Sequence, residues 1–140
     1  MKTLIQYAHS FLGKPYIWGG DDPILGFDCS GLVQELLASV GMDPPGDQTA
    51  HNLYMHFINE PHTSKAKAGS LAFFGPRPKV THVGFMIDKW RMVEAGGGGS
   101  RTKTEADAAA QNAYIRIRPI HRRTDLIAII HPNYSIGSPV

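Results

Sequence analysis

Apolar positions fall into two regimes along the chain. In the first sixty residues they recur at helical spacing. Leu4, Ile5, Ala8, Phe11 and Leu12 predict an amphipathic helix over residues 2–12, ended by Gly13 and Pro15. Leu32, Val33, Leu36, Leu37 and Val40 form one face of a second helix, with Gly41 in the position of a C-terminal glycine and Pro44 and Pro45 beyond it. Residues 47–58 suit a third helix. Between the first two, residues 14–28 hold Pro15, Gly19, Gly20, Asp21, Asp22, Pro23 and Gly26 and read as a loop. From residue 70 onward the apolar runs shorten. Residues 70–74, 81–88, 91–95, 113–118 and 125–131 predict strands. The 113–118 run alternates in part and puts Arg116 and Arg118 on one face, as in a half-exposed strand. Helices first and strands later predict an α+β fold, with N-terminal helices packed on a C-terminal antiparallel β-sheet. No repeat or linker divides the sequence, so one domain over residues 1–140 is expected. Residues 96–100 read as a flexible loop too short to separate domains.

Composition narrows the class of protein. Hydrophobic residues make up 42% and charged residues 19% of the 140, which is a globular balance. A formal net charge of +2 suits approach to anionic polymers but is too weak to argue for nucleic-acid binding. No apolar run reaches membrane-spanning length, and the first eleven residues lack the basic start and apolar core of a signal peptide. Synthesis in the cytoplasm without a signal peptide is therefore expected. Action on a wall would then follow release or delivery, or membership of a phage particle.

One cysteine excludes an internal disulfide and any multi-cysteine metal site. Cys29 is then either a buried small apolar side chain or a reactive thiol. It stands where a glycine-rich loop, closing with Phe27-Asp28, runs into the second apolar-periodic helix. Exposed N–H groups and the helix dipole at such a junction favour a thiolate and can hold an oxyanion. A thiolate nucleophile needs a base within hydrogen-bond reach. His82, in Thr81-His82-Val83-Gly84-Phe85, begins an otherwise apolar strand in which Gly84 leaves room for close backbone approach; most histidines, however, are surface or structural. If residues 81–88 and 91–95 pair as a hairpin, Glu94 lies near the His82 end, as the carboxylate that orients the imidazole or as a solvated strand-end glutamate. His51 and His56 are five apart and do not share the helix face of a zinc pair. The His121-Arg122-Arg123 cluster reads as a solvated turn, or as a contact for anionic polymer.

Four blocks in this order resemble the NlpC family of cell-wall cysteine peptidases, a papain-like α+β group. They are Gly13-Lys14-Pro15-Tyr16-Ile17-Trp18-Gly19-Gly20, Phe27-Asp28-Cys29-Ser30-Gly31-Leu32-Val33, Ala68-Gly69-Ser70-Leu71-Ala72-Phe73-Phe74 and His82-Val83-Gly84-Phe85. The resemblance implies roles residue by residue. Cys29 falls on the nucleophile, His82 on the general base, and Tyr16 on a tyrosine at the oxyanion site. Asp28 and Ser30 fall on residues that in some members recognise the free amine of a stem peptide. Trp18 would line the groove. Many relatives carry histidine twelve positions after the base, where this chain has Glu94; a carboxylate also orients imidazole and stabilises its charged form. Ser70 stands where an aspartate is common, a change read as structural.

The resemblance implies hydrolysis of the D-glutamyl–diaminopimelate bond of peptidoglycan or a muropeptide, by a monomer without metal or cofactor. Two alternatives stay open. One is an N-acetylmuramoyl-L-alanine amidase or acyltransferase with the same Cys–His pair. The other is an inactive wall-binding or phage tail module. The setting, whether phage endolysin, tail peptidase, delivered toxin or muropeptide recycling enzyme, is open as well.

Overall fold

A computed structural model describes residues 1–134 of the chain. The first helix, α1 (Lys2–His9), buries Leu4 and Ala8. It is shorter than the apolar spacing predicts: residues 10–13 form turns, and Gly13 takes a positive φ of 88°. The expected loop over residues 14–28 contains a minimal hairpin, β1 (Asp21–Asp22) and β2 (Gly26–Phe27). Helix α2 (Cys29–Ala38) follows at once. The Asp28 side chain caps it by accepting the Gly31 N–H at 2.7 Å. Its Leu32, Val33, Leu36 and Leu37 are fully buried. Helix α3 (Ala50–Ile58) is capped by Thr49 and buries Leu53 and Phe57.

Eight strands in all are described. Six of them, β3 (His62–Thr63), β4 (Leu71–Phe74), β5 (His82–Met86), β6 (Arg91–Gly96), β7 (Tyr114–Pro119) and β8 (Leu126–Pro132), form one antiparallel sheet in the order β3-β8-β4-β5-β6-β7. Leu71, Phe73, Val83, Phe85, Val93 and Ile115 join the core with the helices. The alternate positions Ala72, Phe74, Met86 and Met92 are also fully buried, under Ala66, Ile120 and Ile129. Both faces of the central strands are therefore covered, which explains the near-continuous apolar runs there.

The α+β expectation holds, with one change in element order. A fourth helix, α4 (Glu105–Gln111), lies between β6 and β7. It buries only Ala108, so it leaves no apolar period, but a reciprocal Thr104–Asp107 capping box starts it. The expected solvated turn at His121-Arg122-Arg123 is a 3-10 turn (Ile120–Arg122) followed by a half-buried Arg123. No helix among the described residues is long and apolar enough to cross a membrane.

Candidate active site

Cys29 is the first residue of α2 and is partly buried. The helix start is packed tightly. A Cβ on Gly31 would fall inside van der Waals contact of the Gly20 carbonyl oxygen and within 2.8 Å of Asp28 Oδ1. Glycine at position 31 thus lets the backbone at Gly20, just ahead of β1, lie against the first turn that carries the sulfur. The Gly20 carbonyl also accepts the Asp28 N–H at 3.1 Å. Asp28 is fastened by its capping bond and by the Ser30 hydroxyl at 3.3 Å. Burial pushes its carboxyl upward, against those bonds.

His82 opens β5, opposite Phe74 of β4 in the ladder. Its Nε2 lies 2.9 Å from Glu94 Oε1 on β6. The Cys29 side chain is the other neighbour that favours a charge on the imidazole. Burial opposes a charge on His82, but the bonds to Cys29 and Glu94 outweigh it and raise the imidazole to about 9. Glu94 is buried. Burial pushes it up, and His82, Arg118 and Arg116 together hold it below the usual carboxylate range. A thiol, an imidazole and a carboxylate thus stand together at one site, an arrangement that can store a proton beside a sulfur. The room that Gly84 provides is taken by the Met92 side chain and not by backbone.

Tyr16 is 5% exposed, and burial followed by the neighbouring Cys29 and Asp28 charges raises its phenol, keeping it a protonated donor. Gly98 lies flat on its ring, where any Cβ would clash. Trp18 is 53% exposed, so it is not core. Tyr16, Trp18 and Cys29 border two adjoining cavities. One, of about 290 Å³, is lined by Asp28, Ser30, Asp47 and Gln48; the other, of about 330 Å³, by His82, Glu94, residues 96–99, Arg116, Arg118 and Arg123. All seven residues singled out in the sequence therefore gather around one groove.

The three arginines were not among them. Arg116 stands opposite Glu94 in the β6–β7 ladder. Its Nε is 3.5 Å from Glu94 Oε2, and an Arg118 guanidinium nitrogen is 3.8 Å from the same oxygen. The pair read as a half-exposed surface row instead faces a buried carboxylate. Arg123 forks onto Asp125 at 2.9 and 2.7 Å and lies over the Phe74 ring, 4.8 Å from its centroid. Alternation gave the shared face of Arg116 and Arg118, but only tertiary pairing tells which charge that face meets.

A larger cavity of about 500 Å³, around Lys65, Lys67 and His131, contains no such nucleophile–base pair. Beside it the buried Ser70 hydroxyl donates to the Lys65 carbonyl and accepts the Lys67 N–H, with His131 Nδ1 at 2.9 Å. Ser70 is thus fully engaged in structure.

The chain is 37% identical over 101 residues to the bifunctional muramidase/DL-endopeptidase CwlT of Bacillus subtilis, covering 70% of this chain and 30% of that protein. It is 34% identical over 116 residues to the peptidoglycan endopeptidase RipB of Mycobacterium tuberculosis, covering 72% and 45%. The chain thus spans less than half of either relative. RipD of Mycobacterium tuberculosis, described as a non-catalytic NlpC/p60 domain protein adapted to peptidoglycan binding, shares the fold at a TM-score of 0.67 and 20% identity, over 94% of this chain and 95% of that one. The NlpC/P60 family model matches residues 13–119, a span that contains Tyr16, Cys29, His82, Glu94 and all of the strand bearing Arg116. With that match over most of its length, and with its fold, the chain belongs to the NlpC/P60 family.

Proposed function

We propose that the protein is a cysteine endopeptidase of peptidoglycan stem peptides, cutting the bond between D-glutamate and diaminopimelate or its lysine equivalent. The observation that carries this reading is the series Cys29–His82–Glu94 at the junction of two cavities. The Cys29 thiolate attacks the amide carbonyl carbon, and the carbonyl oxygen takes up the negative charge. Tyr16 and the Cys29 N–H donate to that oxygen. Imidazolium His82 passes its proton to the departing nitrogen as the C–N bond breaks, leaving a thioester and a free amine. Water, deprotonated by the now neutral His82, attacks the thioester, and the sulfur leaves as thiolate. Glu94 accepts the Nε2 proton bond throughout and steadies the charged ring. The names of the relatives support the substrate class, and Asp28 and Ser30 border the groove as an amine-binding pair would.

The test is digestion of purified peptidoglycan with mass spectrometry of the new ends. New D-glutamyl carboxyl and diaminopimelate amine termini are expected, and Cys29→Ala is expected to lower their formation at least about 10³-fold. Release of intact stems from sugar would instead make the protein an amidase. Equal turnover by wild type and Cys29→Ala would leave a binding module.

A further inference from the structure

The two cavities that meet at Cys29 carry opposite charge. One is lined by Asp28 and Asp47 with no basic side chain; the other has three arginines against a single carboxylate, Glu94. Arg123 is neutralised by its fork onto Asp125. Arg116 and Arg118 are not so matched. Both approach one oxygen, Glu94 Oε2, at 3.5 and 3.8 Å, longer than a good charge-assisted bond, while Oε1 serves His82. Their side chains are about one-third exposed and open on the cavity. Glu94 carries one negative charge and so can balance only one of the two guanidiniums. Each guanidinium has five N–H donors in a planar fork that fits a carboxylate.

We propose that Arg116 and Arg118 form a carboxylate-binding subsite beside Cys29, selecting stem peptides with a free carboxylate over their amidated counterparts. The proposal rests on the endopeptidase reading for its substrate class. Carboxylates from two sources flank the proposed scissile bond, the α-carboxylate of D-glutamate on one side and the two of the diamino acid on the other. Both present the same chemistry, and amidation removes its charge without changing its size.

The experiment separates these sources and separates the subsite from the reaction. Binding of L-alanyl-γ-D-glutamyl-meso-diaminopimelate and of its monoamides is measured on Cys29→Ala by calorimetry. Amidation of one carboxylate is expected to weaken binding at least about 10-fold, and the sensitive position names the source. Adding Arg118→Gln should weaken the free acid and bring the acid-to-amide ratio close to one. Arg116→Gln serves as the second variant, with circular dichroism confirming that each folds. Equal binding of acid and amides, or no binding, overturns the subsite. So does equal weakening of acid and amide by the arginine variants, which would mean that the arginines only support Glu94. Wild-type cleavage of the same peptides is scored separately. Preference without cleavage sinks the endopeptidase reading and keeps the subsite; cleavage without preference does the reverse.

Discussion

Glu94 holds His82 from the neighbouring strand, its Oε1 2.9 Å from the imidazole Nε2. Against burial, Cys29 and this carboxylate together favour the charged ring and raise His82 to about 9. Endopeptidase activity should therefore persist through neutral pH and fall as pH rises through about 9, where the ring loses the proton that the leaving amine needs. Glu94→Gln removes the charge and keeps the shape. Its alkaline limb should move toward acid by about one pH unit, read from kcat/KM profiles of the two proteins. An unmoved limb would show that Glu94 does not govern the ring.

The same shift links stability to pH. A histidine whose folded value lies above its unfolded value of 6.5 stabilises the fold fully below about 6.5 and loses that contribution as pH rises toward 9. Denaturant unfolding of wild type should therefore weaken between pH 6.5 and 9, by up to a few kcal/mol on the order set by this shift. His82→Gln should flatten that part of the curve.

Gly31→Ala places a methyl group against the Gly20 carbonyl and Asp28 Oδ1. The backbone at Gly20, just ahead of β1, or the first turn of α2 must then move. A loss of about 1–3 kcal/mol is expected, together with a fall in activity larger than the unfolded fraction explains, since the moved turn carries Cys29. Chemical denaturation and rate measurements on one preparation check both.

Ser70→Ala leaves the Lys67 N–H and His131 without their shared partner in a fully buried position. The cost should be about 1–3 kcal/mol, seen as an earlier denaturation midpoint. Turnover per folded molecule should stay near wild type, because these contacts lie apart from the Cys29 groove. A selective loss of turnover would contradict a structural role for Ser70.

Much of this site was legible in the sequence because its parts carry local signals. Cys29 stands at a loop-to-helix junction, and His82 and Glu94 lie on consecutive apolar strands joined by a short turn. The order of the four motif blocks supplied Tyr16 and Trp18. What stayed illegible depends on contacts distant in sequence. Nothing local states that Arg116 pairs across a ladder with Glu94, 22 residues earlier, or that Arg123 turns back over Phe74. Helix α4 was missed because its alanines give no apolar stripe, although Thr104 and Asp107 signal its start. Strand β3 has two residues and exists only through its pairing with β8, so periodicity cannot reveal it.

The sulfur belongs to a helix and the imidazole and carboxylate to the sheet, so the reactive group is a property of docking between layers. A chain in which α2 has separated from the strands keeps its thiol but has no proton store beside it and no carboxylate to steady one. Catalytic competence should thus appear in one step with the packing of Leu32, Val33 and Leu36 against Val83 and Phe85, and vanish with it. Under the proposed function, turnover should in this sense report assembly, and a chain that is unfolded, whether newly made or denatured, should be inert toward amide bonds.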